Sequence, residues 1–192
     1  MEKIIIITVR LIILGIVAMA FSCEPAIVDP YENFIIPEGK HANTWKMQSL
    51  QSKTLSFSAI FDHTAIYEAG TTENQHDIHK LMGFSDCNST HHDNSARFGW
   101  RWLEGKLEIH AYVYVGGERI TEYIGDVELN QPSDYQLQIT DDHYVFYLQG
   151  YDPVRIKREA PCNKGLYYML YPYFGGDEVA PHDILIQILT KY

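Results

Sequence analysis

The feature that most constrains this chain is a strict alternation of apolar and polar residues. Over Lys106–Val115, Leu107, Ile109, Ala111, Val113 and Val115 fall on one side, and Glu108, His110, Tyr112 and Tyr114 on the other. Successive side chains point to opposite faces of a strand, so ten residues in this order predict a β-strand with one buried face. The pattern recurs in Thr54–Phe61 (Leu55, Phe57, Ala59), Asp134–Thr140 (Tyr135, Leu137, Ile139) and Asp183–Leu189 (Ile184, Ile186, Ile188). In Ala96–Trp102, Phe98, Trp100 and Trp102 alternate with Arg97, Gly99 and Arg101. Glu118–Val127, His143–Leu148 and Gly165–Phe174 read as further strands, the last with Tyr167, Tyr171 and Tyr173 on one face. Glu104-Gly105, Gly116-Gly117 and Asp141-Asp142 supply tight turns between neighbours. Helical spacing is confined to His76–Met82, around Ile78, Leu81 and Met82.

These strands, with at most one short helix, predict an all-β fold: an antiparallel β-sandwich of jelly-roll type, forming a single domain over 41–192. The 192 residues are 46% hydrophobic and 13% aromatic, enough for one core and too much for a disordered chain. The formal charge of −10, without a Lys/Arg cluster, argues against nucleic acid as a partner.

Residues 1–22 carry Lys3 and Arg10 and an apolar run from Leu11 to Phe21, too short for the roughly 20 residues that span a bilayer. A basic start, a short greasy stretch and small residues before a cut site mark an export signal. Its end, Ala20-Phe21-Ser22-Cys23, resembles the lipobox of bacterial lipoproteins, which implies cleavage before Cys23 and lipidation of that residue. The segment 23–40, with Pro25, Pro30 and Pro37, reads as a flexible tether. The expected location is therefore outside the cytoplasm, on the bacterial outer membrane through the lipid, facing either the periplasm or the cell surface. Cys87 and Cys162 then remain as an even pair in an oxidising compartment, a disulfide candidate that closes a loop of about 75 residues. Two separate buried thiols are the alternative.

The polar face of Lys106–Val115 and the facing Arg97 and Arg101 form the most informative patch. Arg, Glu, His and Tyr on one sheet face suit a carbohydrate: polar groups meet hydroxyls and carboxylates, and aromatic faces meet sugar CH surfaces. A solvated face with cross-strand ion pairs such as Arg to Glu108 is the competing account. Asp177, Glu178, His182 and Asp183 make an oxygen-rich loop, better read as turn capping than as a Ca²⁺ site. His91 and His92 are adjacent, and adjacent side chains diverge, so neither a metal site nor any cofactor is expected. The chain holds no G-x-S-x-G elbow, P-loop, H-E-x-x-H or G-x-G-x-x-G, and no catalytic set is assigned.

Gly83-Phe84-Ser85-Asp86, Asn94 to Trp102 and Tyr171-Pro172-Tyr173-Phe174-Gly175-Gly176, together with the lipobox, resemble exported lipoproteins of gut Bacteroidota. Their shape is similar to lectin-like and glucanase-like jelly rolls. Retaining glucanases of that class carry E-x-D-x-E on one strand, and only Glu108 stands at a comparable place here. Alginate-type lyases carry Q-I-H, where this chain has Glu108-Ile109-His110, and their R-x-E-x-R is replaced by Arg97-Phe98-Gly99-Trp100-Arg101. The leading expectation is a membrane-anchored protein that binds a glycan or another envelope ligand through Arg97, Arg101, Glu108, His110, Tyr112 and Tyr171. A polysaccharide lyase or hydrolase, with His110 as base and Tyr112 or Tyr171 moving protons, is the second. A structural lipoprotein docking another protein is the third.

Overall fold

A computed structural model describes residues 30–43, 46–158 and 167–191. Its twelve strands are β1 (Glu32–Ile36), β2 (Ser49–Leu50), β3 (Thr54–Phe61), β4 (His79–Ser85), β5 (Ser95–Leu103), β6 (Lys106–Val115), β7 (Glu118–Val127), β8 (Ser133–Ile139), β9 (His143–Leu148), β10 (Val154–Lys157), β11 (Tyr167–Leu170) and β12 (Ile184–Lys191). They form two six-stranded antiparallel sheets, ordered β1-β12-β3-β8-β9-β10 and β2-β11-β4-β5-β6-β7. This is the all-β jelly-roll sandwich that the alternation predicts.

The alternating apolar residues meet between the sheets, removing their apolar surface from water. Phe57 and Tyr135 of the first sheet pack on Phe98 of the second, with ring centroids 5.8 and 5.1 Å away, and Phe61 meets Trp100 at 5.3 Å. Trp100, Phe98, Ile109 and Val113 are fully buried.

Three expectations are corrected. His76–Met82 is not helical: the one α-helix among the described residues, α1, covers Thr72–Gln75, capped by Thr71, and His79–Met82 belongs to β4. The apolar spacing there comes from a bulge, in which Leu81 and Met82 oppose Phe98 alone between the pairs Lys80–Gly99 and Gly83–Arg97. The segment 23–40 is not tether throughout, because β1 within it pairs with β12 and buries Phe34 and Ile36. Tyr167, Tyr171 and Tyr173 do not share a face. β11 ends at Leu170, and the three rings reach the core, Phe34 and Lys80 respectively.

The export signal, Cys23 and Cys162 lie outside the described residues. Cys87 is held in a disulfide. Beside it, Asp86 accepts from Arg158 Nη2 at 2.5 Å and from the Tyr144 hydroxyl at 2.7 Å, a buried ion pair joining the two sheets.

Candidate functional site

The outer face of the second sheet carries an open groove of about 690 Å³ over β11, β4, β5, β6 and β7. Two glycines let neighbouring groups close onto this face. A Cβ at Gly83 would run into the Ala96 carbonyl and the stem of Arg97, and one at Gly99 would run into Ile78. A glycine inside a strand marks such a close approach.

Three cations are aimed into this groove from three strands. Arg97 of β5 is only 6% exposed. The β4 bulge turns Lys80 outward, and Arg119 comes from β7, where it pairs with Tyr114 of β6. Tyr112 organises them. Lys80 Nζ lies 4.7 Å and Arg97 Cζ 5.3 Å from its ring centroid, and Arg119 hydrogen-bonds its hydroxyl. Burial, then the Arg97 charge, pushes the Lys80 ammonium from its ordinary 10.5 down to about 8, against the opposing pull of Asp77. Burial likewise lowers Arg97 and raises Tyr112. Tyr173, exposed and stacked on His41, and half-buried Tyr114 offer aromatic faces, while His91 and His92 form one wall.

The six residues singled out from sequence therefore separate. Arg97, Tyr112 and Tyr171 line the groove, though Tyr112 is buried and its ring serves the cations rather than open solvent. Tyr171 sits at the far end, stacked on Phe34 and donating to Gln48 Oε1 at 2.9 Å. Arg101, Glu108 and His110 do not line the groove and close on one another instead. Arg101 Nε donates to Glu108 Oε2 at 2.6 Å, His110 Nε2 lies 3.1 Å from the same oxygen, and Arg101 Nη1 donates to the His76 carbonyl at 2.9 Å. His110 is 5% exposed, and burial lowers its pKa.

Sequence reasoning missed Lys80, Arg119 and the two histidines as site residues. The signal for Lys80 was Gly83 and Gly99 within strands. For Arg119 it was alternation along β7, which puts Arg119 on the same side as Thr121 and Tyr123. The acidic loop 177–183 caps turns: Glu178 accepts from Gly70 N and Asn74 Nδ2, Asp183 from Glu38 N, and His182 Nε2 lies 2.8 Å from the Thr64 carbonyl. Among the described residues no group of three metal-ligating side chains forms.

Solved structures resemble the fold at low identity. An alginate lyase from a Chlorella virus shares 11% identity with a TM-score of 0.53, over 83% of this chain and 82% of that one. An O-glycanase of the human gut microbiota shares 13% with a TM-score of 0.52, over 85% and 78%. A GH16 endo-β-1,3(4)-glucanase shares 11% with a TM-score of 0.50, over 74% of this chain and 57% of that one. No protein-family model and no curated protein matches the sequence. The neighbours are jelly-roll proteins that act on glycans, and at these identities the likeness concerns the fold alone.

Proposed function

We propose that the chain is a lipoprotein, anchored to the outer membrane through lipid on Cys23, that binds a glycan in the groove of the second sheet. The observation that carries this reading is the groove itself: an open trough of about 690 Å³ with tyrosines, histidines and the cations Lys80, Arg97 and Arg119 on its walls. Sugar rings need both, an apolar face to stack on and donors for hydroxyls. That glycan-active enzymes share the sandwich supports the reading, and a GH16 glucanase and an alginate lyase of this fold have been crystallised with saccharides bound.

Turnover has less support. The base expected for a lyase, His110, is buried in its pair with Glu108 and does not line this groove, so a sugar in the trough does not reach it. An assembly role has less too, because it calls for a flat apolar face and this face is grooved and charged.

Titration of the purified full chain in detergent against a polysaccharide panel tests the proposal. Binding to at least one polymer is expected, weakened about tenfold by Tyr173→Ala, the loss of one exposed aromatic contact. Absence of binding to every polymer overturns it.

A further inference from the structure

Arg97, Lys80 and Arg119 converge on one groove, and no carboxylate is ion-paired with any of them among the described residues. Arg97 is the informative member. It is more than nine-tenths buried, its Nε has no hydrogen-bond partner, and the charges that act on it are tyrosines rather than acids. A buried guanidinium without a counter-ion is costly, and a fold seldom keeps one unless something outside the chain neutralises it.

The surroundings sharpen the point. In a chain of net charge −10, acids are plentiful, and several cations elsewhere take one: Arg101 pairs with Glu108, Arg158 with Asp86, Lys106 with Asp126, and Lys46, at the groove's rim, with Glu32. Within the groove, Asp177 is on the wall and Asp77 lies within electrostatic reach of Lys80, yet neither forms an ion pair with the three cations. Gly175 keeps the space beside Lys80 open, since a Cβ there would run into its ammonium. The three cations are thus held by Tyr112 with their charge left for a ligand.

We infer that the glycan this groove binds is anionic: a saccharide carboxylate or sulfate ester seats against Arg97 and Lys80, with Arg119 closing on it from β7. The inference rests on the glycan-binding reading and narrows it to one class of sugar. Arg97 offers a planar fork to an oxyanion, and Lys80 a point charge beside it. Such a site works inside an acidic protein because the pair is partly desolvated, so its short contact with an oxyanion outweighs repulsion from distant acids, while salt still screens the approach of the charged polymer.

The test is calorimetric titration of the full chain in detergent with polygalacturonate, dextran sulfate and the neutral glucan laminarin, and it separates the two anion sources. At least one anionic polymer is expected to bind at least about tenfold more tightly than laminarin, and more weakly as NaCl is raised. Arg97→Met is expected to weaken that binding about tenfold or more without lowering the melting temperature, because it removes an unpaired buried charge. A scaffold arginine would show the opposite pattern. Arg119→Gln, at an exposed position that cannot unfold the core, is expected to weaken binding about threefold. Lys157→Gln on β10, in the other sheet, is expected to leave it unchanged. Laminarin binding that matches the anionic polymers, insensitive to salt and to both arginine variants, overturns the inference while leaving glycan binding intact. Equal losses from Lys157→Gln and Arg119→Gln overturn it as non-specific attraction. No binding to any of the three polymers or to a wider panel overturns both readings.

Discussion

Between pH 7 and pH 9, affinity for an anionic saccharide is expected to fall about tenfold, and Lys80 is the group responsible. Its ammonium titrates at about 8 instead of 10.5. The cause is first burial, then the Arg97 charge from β5; Asp77, from the turn before β4, opposes this and Arg119 from β7 adds to it. Tyr112 from β6, Tyr173 after β11 and His91 from the β4–β5 loop complete its surroundings. A bound anion reverses the balance by favouring the charged form, drawing the group back toward its ordinary value. At pH 7 about nine-tenths of the free protein already carries the proton, and at pH 9 about one-tenth does, so binding at the higher pH must take up close to one proton. If the bound value returns to 10.5, the affinity ratio across this window is about tenfold, about 1.4 kcal/mol. Few other groups confuse the reading: His91 titrates below 6.5, burial raises Tyr112 above 10, and arginine stays charged. Calorimetry at pH 7, 8 and 9, repeated in buffers of different ionisation enthalpy, measures both the slope and the proton uptake. Lys80→Gln is expected to bind more weakly at pH 7 and to lose the slope. A slope that survives in Lys80→Gln, or a flat wild-type profile, refutes the reasoning.

Stability carries further consequences. His79 is buried against Phe174 with Gly175 N donating to its Nδ1, and burial holds it neutral down to about pH 3. The unfolded chain takes up that proton near 6.5, so stability from this group is complete above 6.5 and is lost on acidification toward 3, by about 1 kcal/mol per pH unit; urea melts of wild type and His79→Phe across pH 4–7 check it, and equal slopes in the two count against it. Arg158→Met strands Asp86 without its ion partner and is expected to cost about 3–5 kcal/mol in urea unfolding, whereas Lys106→Met, which breaks the exposed pair with Asp126, costs under about 1 kcal/mol. Gly175→Ala meets chiefly the flexible end of Lys80, with the Ile78 carbonyl 3.2 Å away, and is expected to cost little stability while weakening anion binding. Gly83→Ala meets backbone and is expected to destabilise by about 2 kcal/mol or more in the same melts. Cys87 and Cys162 are expected to resist thiol reagents until reduced, and reduction to cost about 4 kcal/mol for a loop of about 75 residues; two thiols titrating without reductant would sink that pairing.

The strands with one apolar and one polar side were legible because alternation is a local property. Leu107 to Val115, Leu55 to Ala59, Tyr135 to Ile139 and Ile184 to Ile188 all face the core as their period demands. Short or irregular strands were not. β1 sits among prolines, β2 is two residues long, and β4 carries a bulge that imitates helical spacing. Each acquires its structure from a pairing partner rather than from its own pattern, β1 from the distant β12, β2 from the distant β11 and β4 from β5.

The site divides along the same line. By itself the sequence determined that Arg97, Arg101, Glu108, His110 and Tyr112 lie on one outer sheet face, since neighbouring strands joined by a tight turn fix that register. Only the tertiary structure decided which of them face a ligand. The segment before β4 folds over Gly99 and Arg101, so that Arg101, Glu108 and His110 satisfy one another, while Lys80, Arg119 and the histidine wall arrive from elsewhere to surround Arg97. The Arg101–Glu108 pair lies within one hairpin and was legible, but which cations stay unpaired depends on Lys80 and Arg119 arriving beside Arg97 from β4 and β7. No local pattern records it.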